Sequence, residues 1–381
     1  MTASNAVRVG IVQRSSFATP ATRDLLVFPV TAQSLRNRVG YQQSNTLRTD
    51  ANIQDLVRLT QSVSGGLPAE LTFPVVNEAL WFLMRGAMRA TETAVATVAS
   101  CSTTGAAKTI TRASGSFISD GIEVGDIVRT TGATPAGDNG LWKVTAVLAL
   151  TLTVEAAANF TGSAGNVTVT RGARMKNGTS QNYFDVEVAR TDGSLFELFE
   201  KVVVNGMSIN IADGGITTCS FDLLGASSQR NTSTYAVSTA NPTTMPILDA
   251  LGVPVFNLGG SAYSAKSIGF SMTHSIRAQT QVGTLGATGF SWGATQVTTS
   301  SSSYLSNWTE MSNYTGNVAT DLWFAMQDSG GRVLTVSMPQ HKWSDLGADT
   351  RGLNQDDYLD GSGQAVLDPV EGCTLRIQRF V

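Results

Sequence analysis

The sequence contains few charged residues. Asp, Glu, Lys and Arg make up 14% of its 381 residues, against about 25% in an average soluble domain. A surface with so little charge gains less from staying dispersed in water. This predicts that copies of the chain cover much of it, as in an obligate oligomer or a virion shell. The net charge of −3 supplies no global basic field, so tight binding to DNA is not expected.

Histidine and cysteine are also scarce. Cys101, Cys219 and Cys373 are odd in number and far apart, so they indicate neither a disulfide framework nor a zinc site. His274 and His341 are the only histidines, which is too few for a histidine-based metal site. We therefore predict that the protein holds no metal and no cofactor.

Long hydrophobic runs are missing as well. Residues 1–30 contain no continuous apolar stretch of the kind that a secretory signal requires. The most apolar helical pattern, at residues 74–89, is shorter than the roughly 20 residues of a membrane span and contains Arg85. The sequence thus predicts synthesis in the cytoplasm and no membrane anchor.

One motif is similar to a catalytic element. Residues 289–293 read G-x-S-x-G, and Asp321 or Asp328 followed by His341 completes the Ser, Asp, His order of an α/β-hydrolase. That motif requires a strand before the serine and a helix directly after it, whereas ATQVTTS follows in an all-β pattern. We predict that the protein is not an enzyme.

Glycine, threonine, serine and valine are abundant, and this composition predicts a mainly β protein. Residues 29–90 read as a strand, an arginine-containing loop, a second strand and then an amphipathic helix over residues 74–89. Residues 1–28 lack such patterning. We interpret them as an N-terminal arm that lies on a neighbouring subunit or on the chain's own body.

Residues 91–175 differ from their surroundings. Short Thr/Val runs alternate there with Gly and Asp turns, as in KTITRASGSF and GLWKVTAV, which is typical of a small β-barrel or Ig-like sandwich. The flanking segments complete each other, so we interpret these residues as an inserted domain. Inserts are tolerated at surface loops, which predicts an outer position and a domain that assembly does not need.

The order of elements in the first unit occurs a second time. Ala32 and Ala265 begin similar strands, and similar hairpin turns lie at Asp192 and Asp328. The first pair is further apart in the sequence than the second, by nearly the length of the insert. This predicts a duplicated unit; chance similarity of β-rich sequence is the alternative. The predicted organisation is an N-terminal arm (residues 1–28), a first unit (29–90 and 176–224), an inserted outer β-domain (91–175), a linker (225–264) and a second unit (265–381).

Two sets of residues are candidates for contacts. The first loop concentrates charge around Tyr41, as a polar contact between subunits would, and a solvated loop is the alternative. In YFDVEVAR, Asp185 and Glu187 alternate with apolar residues, so one face of this strand is expected in the core and the other in water. The loop candidates are Arg36, Arg38, Tyr41, Arg48, Asp50, Asp55 and Arg58.

Three stretches together carry a family resemblance. They are SLRNRVGYQQSNTLRTDANIQDLVRLTQSVSGGLPAELTF with the helix VVNEALWFLMRGAM, the insert GSFISDGIEVGDIVRTTGATPAGDNGLWKVTAV, and LWFAMQDSGGRVLTVSMPQ near the end. They resemble the major tail tube proteins of long-tailed, siphovirus-like bacteriophages. The resemblance implies a tail-tube fold of two packed β-sheets with a flanking α-helix, duplicated here according to the spacing and carrying the inserted β-barrel or Ig-like domain.

The resemblance also implies a structural function in the virion tail. Such proteins polymerise into stacked rings that form the hollow tube through which double-stranded DNA is ejected. Strands of neighbouring units join into one closed barrel per ring, and long loops contact the next ring. A basic lining would retain DNA, so the lumen must be neutral or acidic. Asp185 and Glu187 are the candidates for lining it, and an ordinary solvent face on the outside is the alternative.

The resemblance further implies partners and a stoichiometry. Rings of six units require three duplicated chains, which gives a trimer, or six chains if the repeat is illusory, which gives a hexamer. The partners are other copies of the chain, the tape-measure, tail-terminator and tail-tip proteins, and DNA in transit without tight binding. The alternative function is a secreted or surface β-sandwich adhesin with an Ig-like module.

Overall fold

The computed structural model describes residues 6–18, 24–47, 49–50, 52–73, 84–85, 88–89, 93–96, 101–104, 107–134, 136–155, 160–162, 167–241, 247–249, 251–350, 352–353 and 355–381. In these residues the chain is mainly β, with three sheets, and the α-helix Thr309–Thr315 is the longest helix described. None of the described helices has the length and hydrophobicity needed to cross a membrane.

The strands are numbered in chain order. The first half of the chain contains β1 (Val7–Arg14), β2 (Asp24–Phe28), β3 (Arg36–Gln43), β4 (Leu56–Glu70), β5 (Met88–Arg89), β6 (Thr93–Ala96), β7 (Cys101–Thr104), β8 (Thr109–Arg112), β9 (Ile127–Thr131), β10 (Gly140–Val147), β11 (Thr151–Val154), β12 (Thr168–Arg171), β13 (Ala173–Lys176) and β14 (Tyr183–Arg190). The second half contains β15 (Leu195–Ala212), β16 (Thr218–Gly225), β17 (Ser227–Asn231), β18 (Ser238–Ala240), β19 (Val255–Leu258), β20 (Ser261–Ala262), β21 (Ala265–Thr273), β22 (Arg277–Gln279), β23 (Gly289–Ser291), β24 (Gln296–Tyr304), β25 (Thr320–Gln327), β26 (Val333–Asp349), β27 (Tyr358–Ala365) and β28 (Arg376–Phe380). Short 3₁₀ turns cover Ala136–Asp138 and Thr191–Gly193.

Eight strands form one continuous antiparallel layer, in the order β3, β4, β16, β15, β21, β24, β27 and β26. Successive residues of a strand point to opposite faces of this layer. In β21, Ile268, Phe270 and Met272 are buried, whereas the residues between them are Gly269 and Ser271. One face of the layer therefore packs on the core, and the other carries small polar side chains.

Several other strands of the main 19-stranded sheet, among them β1, β14, β25 and β28, share a hydrophobic core with this layer. β15 and β26 belong to both layers, because each pairs with one set of strands in its first half and with another set in its second half. Aromatic rings meet in the core, with centroids 5.9 Å apart for Phe28 and Phe221 and 6.3 Å apart for Phe270 and Phe324. The two packed layers are thus parts of one folded sheet.

Two groups of strands in the main sheet have the same pairings. In the first group β1 pairs with β2 and β14, β4 with β3 and β16, and β15 with β14, β16 and β17. In the second group β19 pairs with β20 and β25, β24 with β21 and β27, and β26 with β25, β27 and β28. Phe199 and Val204 border two β-bulges in β15, and Met338 and Trp343 border two β-bulges with the same spacing in β26.

The segment predicted to be an insert contains a sheet of its own. Strands β6 to β12 form seven antiparallel strands in the order β6, β12, β9, β10, β11, β8, β7, around a core that includes Phe117 and Val144. Among the described residues β6 and β7 do not pair with each other. Of the two predicted alternatives, the barrel is therefore wrong as far as the described residues go, and the Ig-like sandwich stays a prediction.

Two segments predicted to lie outside the repeated units contribute strands. Residues 7–14 of the predicted arm form β1, which pairs with β14 of the same chain. The predicted linker, residues 225–264, contains β17, which pairs with β15, and also β18, β19 and β20. Backbone hydrogen bonds hold such strands, so the Ser- and Thr-rich sequence of the predicted linker does not prevent it from joining a sheet.

The two helix predictions have different outcomes. The predicted helix at residues 74–89 lies largely outside the described residues, but its end is wrong, because Met88–Arg89 form β5 and pair with β13. Arg85 has a φ of 53°, a left-handed conformation that a continuing helix cannot contain. In the second unit, the stretch SYLSNWTEMSNYTG also predicts a helix, with Gly316 as its end. The observed helix does end at Gly316, but it begins only at Thr309, because β24 extends to Tyr304.

Candidate assembly site

The hairpin formed by β3 and β4 projects from the rest of the protomer. Leu56 is 58% exposed and Val57 is 45% exposed, although neighbouring residues of a strand point to opposite faces. Leu47, near the tip, is 98% exposed. Neither face of the outer part of this hairpin is therefore covered by the described residues of the chain.

The predicted contact residues gather on this hairpin. Arg58 is held in place by a 2.6 Å hydrogen bond that it donates to Gln61. The apolar residues among these charges were not predicted as contact residues, although LVRL at the start of β4 does not alternate as a half-buried strand does. Those placed exposed on the hairpin are Arg36, Arg38, Tyr41, Asp50, Asp55 and Arg58, whereas Arg48 lies outside the described residues.

Asp185 and Glu187, the predicted lining residues, are buried within the protomer. The Asp185 carboxylate accepts a hydrogen bond from the guanidinium of Arg14 at 2.8 Å, and burial raises its pKa. The Glu187 carboxylate accepts hydrogen bonds from Arg8 at 2.7 Å and from the Thr234 hydroxyl at 2.8 Å. The apolar face of this strand enters the core as predicted, but the acidic face is covered too.

An uncharged polar surface lies elsewhere, on the outward face of the eight-stranded layer. We call its central part the hydroxyl face and define it by two cross-strand rows. The Ser271 and Thr298 hydroxyls are 2.7 Å apart within it. Ser and Gly at every second position of AKSIGFSMT were the sequence signal for this face. The rows are Ser208, Ser271, Thr298 and Gln364, and Asn210, Gly269, Ser300 and Ser362.

The eight-stranded layer ends at two open edges. Among the described residues β3 pairs only with β4, and the second half of β26 pairs only with β27. Inside the layer, by contrast, the second half of β15 and β21 each have neighbours on both sides and pair with each other. An open edge presents unpaired backbone N–H and C=O groups, which makes it a template for a further strand.

A buried ionic cluster joins the inserted sheet to the main sheet. The Lys143 ammonium of β10 lies 2.5 Å from Asp321 and 3.3 Å from Glu371. The Arg376 guanidinium lies 3.1 Å from Glu371 and 3.6 Å from Asp126. Burial raises the pKa of Glu371, because its charged form has lost water. The charges of the insert and the main sheet thus compensate one another.

An apolar contact lies beside this cluster. Ile127 of the insert packs with Trp323 and Phe380 of the main sheet. The Trp323 indole donates a 3.0 Å hydrogen bond to Glu155 of the insert, and burial raises the pKa of that carboxyl. The insert is therefore docked on β25 and β28 by apolar and charged side chains together.

The residues of the G-x-S-x-G motif do not meet as a catalytic triad. Ser291 accepts a hydrogen bond from Gln279 at 2.7 Å, and Asp321 contacts Lys143. His341 is buried, with its Nε2 atom 2.7 Å from the Thr299 hydroxyl. Within the part of the chain that the structure describes, no group of three or more His, Cys, Asp or Glu side chains could hold a metal ion.

Comparison with known proteins gives one match over nearly the whole chain. Residues 4–371 match a family model described as phage tail tube protein. This is a family of structural proteins and not of enzymes. A search of curated proteins gave no match.

Proposed function

The chain belongs to the phage tail tube protein family, and we propose that it polymerises into stacked rings that form the hollow tail tube of a long-tailed, siphovirus-like phage. The observation that carries the proposal is the eight-stranded layer, which has an apolar face, a polar face that is uncharged at its centre, and an edge strand at either end that has one open side among the described residues. Copies joined at these edges would close into a barrel, which leaves no exposed strand edge.

We propose that viral DNA passes along the hydroxyl face during ejection. The core covers the other side of the layer, so a barrel made from it has this face inside. Duplex DNA carries one negative charge per about 1.7 Å, and the uncharged side chains of the hydroxyl face offer it no cations to bind. This face replaces Asp185 and Glu187 as the proposed lining, because Arg14 and Arg8 already compensate those carboxylates.

We propose that the chain contains two copies of one tube-forming unit. The support is the matching set of pairings and the two bulges that recur with the same spacing in β15 and β26. The first unit, predicted over residues 29–90 and 176–224, would also include β1, β2 and β17, and the second unit, predicted over residues 265–381, would also include β19 and β20. Three chains then supply six units around the axis, in a trimer with pseudo-sixfold symmetry, and a ring of six chains is the alternative.

We propose that the β3–β4 hairpin contacts the next ring in the stack. It projects beyond the protomer and combines apolar side chains such as Leu56 with Arg58 and Tyr41, a composition that suits a protein interface. The inserted Ig-like domain, predicted over residues 91–175, would lie on the outside of the tube, except for its last residues, because β13 pairs with β28 in the main sheet. The ends of the tube would bind the tail-terminator and tail-tip proteins, and the tape-measure protein would lie inside the tube. The chain itself would be synthesised in the host cytoplasm.

Electron microscopy of the purified protein tests this function. We expect hollow filaments or stacked rings for the wild-type chain. The triple substitution Leu56→Ser, Val57→Ser and Leu59→Ser removes exposed apolar contacts, so we expect single rings and a free energy of unfolding within about 0.5 kcal/mol of the wild type.

A matched control comes from the insert. Leu148→Ser with Leu150→Ser also removes exposed apolar side chains, but these lie between β10 and β11, away from the hairpin. This variant should form full-length tubes. Full-length tubes from the hairpin variant would contradict the stacking proposal. Wild-type protein that stays monomeric at every concentration would contradict the tube and favour the adhesin.

A further inference from the structure

The strands β15 and β21, which pair inside the chain, each have a matching strand whose corresponding edge is open. β26 matches β15 in its pairings and bulges, and β3 matches β21 in its pairing with a strand of the layer. β15 and β21 pair with each other, whereas the matching edges of β26 and β3 have no partner among the described residues. The internal contact is therefore a template for a contact between copies.

We propose that β3 of one copy pairs antiparallel with the second half of β26 of a second copy, in the register that β21 and β15 adopt within the chain. This inference rests on the proposed tube function and specifies the contact that closes each ring. It predicts which residues face each other across the boundary between two chains.

The position of β26 follows from the bulges. The bulge that ends at Gly206 in β15 corresponds to the bulge that ends at Asp345 in β26. Two residues further along each strand, Ser208 corresponds to Gly347. β15 pairs with β16 beyond this bulge, and β26 pairs with the matching strand β27. Neither ladder has a further bulge there, so the two strands align without an insertion.

The position of β3 follows from the cross-strand ladders. Leu224 of β16 faces Ser64 of β4, which in turn faces Arg36 of β3. In the second group, Gln364 of β27 matches Leu224, because each faces the residue two positions before the unpaired residue of the second bulge in its partner strand. Gln364 also faces Thr298 of β24, which in turn faces Ser271 of β21. Arg36 therefore corresponds to Ser271.

The register between copies is then fixed. Ser208 of β15 faces Ser271 of β21 within the chain. Their counterparts place Gly347 of one copy opposite Arg36 of the next. Two residues along, Asp345 lies opposite Arg38.

The charges on the two edges are complementary in this register. Arg36 and Arg38 are the basic residues of β3, and Asp345 and Asp349 are the acidic residues of the second half of β26. All four are exposed, and none forms an ion pair within the described residues. Directly opposed Arg38 and Asp345 would attract, and Arg36 would lie diagonally between both carboxylates.

Unpaired polar atoms at the β3 edge support the same contact. The side-chain oxygens of Gln33 and Asn37 are buried without a hydrogen-bond partner among the described residues, an arrangement that destabilises a protein. The proposed register sets the exposed Thr350 of the second copy opposite Gln33, where its hydroxyl can donate to the orphaned oxygen. The pairing also places the arginines of β3 against carboxylates, which leaves the lumen without free positive charge at the chain boundary.

Engineered disulfides test this register. Arg36→Cys with Gly347→Cys should form covalent links between chains in the assembled protein, and the ladder of linked species should end at the trimer. The matched control is Ser208→Cys with Ser271→Cys, which lies in the equivalent position inside one chain and should give only linked monomers. The wild-type chain, with its own three cysteines, gives the background.

A second control changes the face. In Arg36→Cys with Ala348→Cys the two side chains point to opposite faces of the layer, so no link is expected. Links from this pair but not from Arg36→Cys with Gly347→Cys would show a register shifted by one residue and would overturn the proposal.

Charge reversal gives an independent test by sedimentation. Arg38→Asp places like charges opposite each other and should weaken assembly by roughly fivefold per contact, as should Asp345→Arg. The double variant restores the pair with reversed sign and should recover assembly. Wild-type tubes together with full assembly of both single variants and no specific cross-link would overturn the register but leave the tube function intact. Absence of tubes from the wild-type chain itself would overturn both.

Discussion

Asp185 of β14 and Asp321 of β25 occupy matching positions in the two strand groups, each opposite a bulge in the strand that follows, but different parts of the chain cover them. Arg14 of the N-terminal strand lies 2.8 Å from Asp185, and Lys143 of the inserted sheet lies 2.5 Å from Asp321. The same face of the same kind of strand is therefore covered by a cation in both groups. The inserted sheet has in the second group the covering role that β1 has in the first.

The two positions differ in their contact with water. The side chains of Asp185 and Arg14 are 1% and 3% exposed, whereas Asp321 is 27% exposed and its partner Lys143 is 6% exposed. Water screens a partly exposed pair, whereas a fully buried charge that loses its partner is left uncompensated. The first group should thus depend strongly on one ion pair, and the second should depend on the docked sheet as a whole.

The most severe change to this comparison is removal of the inserted sheet. Replacing residues 91–171 with a short Gly/Ser linker exposes Trp323 and Phe380, so we expect a loss of about 3–6 kcal/mol in the free energy of unfolding, together with aggregation. Urea unfolding and size-exclusion chromatography measure both effects. A deletion protein with the wild-type urea midpoint that forms tubes would restore the expectation, made from sequence, that the insert is dispensable.

A single substitution in each group sharpens the comparison. Asp185→Asn leaves the Arg14 charge buried without its partner and should cost about 3–5 kcal/mol in the free energy of unfolding. Asp321→Asn should cost about 1 kcal/mol, because Asp321 is partly solvated and Lys143 keeps Glu371 as a second partner. Urea titration of the two variants compares them directly. A larger loss of unfolding free energy for Asp321→Asn than for Asp185→Asn would show that the two ion pairs do not differ as described.

The acid sensitivity of the second group gives the smallest of the expected effects at neutral pH. Burial lowers the pKa of His341 to about 4, and the matching position in β15 is Val202. Between pH 6.5 and 4 the unfolded chain binds a proton that the folded chain excludes. His341 therefore favours folding fully above pH 6.5, and this contribution falls by about 3 kcal/mol as the pH falls to 4.

His341→Gln removes this titration. The difference in unfolding free energy between wild type and variant, measured in urea from pH 7 to pH 4, should decrease by that amount as the pH falls. A difference that stays constant over this range would mean that His341 titrates normally in the folded protein.

Local sequence patterns predicted the parts of the fold that depend on neighbouring residues. The alternation in YFDVEVAR predicted that Phe184, Val186 and Val188 enter the core, and they do. The turn residues around Asp328 predicted the hairpin between β25 and β26. A strand's own period decides which side chains share a face, so these features need no knowledge of distant segments.

Contacts between distant segments were not predictable in this way. Alternation shows that Asp185 and Glu187 share a face, but it does not show that Arg14, from a distant part of the sequence, covers that face. The docking of the insert depends on Lys143 and Arg376, each of which has an ionic partner far away in the sequence. The sequence around each of them does not show that partner, so both residues look like ordinary surface charges. The open edges of β3 and β26 likewise required the pairings of the whole layer.

The most direct test of the account is a cryo-electron microscopy map of the assembled tube, viewed along its axis. We predict three chains per ring, the hydroxyl face toward the lumen, and β3 of each chain paired with β26 of the next, with Arg38 opposite Asp345. A ring of six chains, or a closed ring in which β3 and β26 do not meet, would contradict the account.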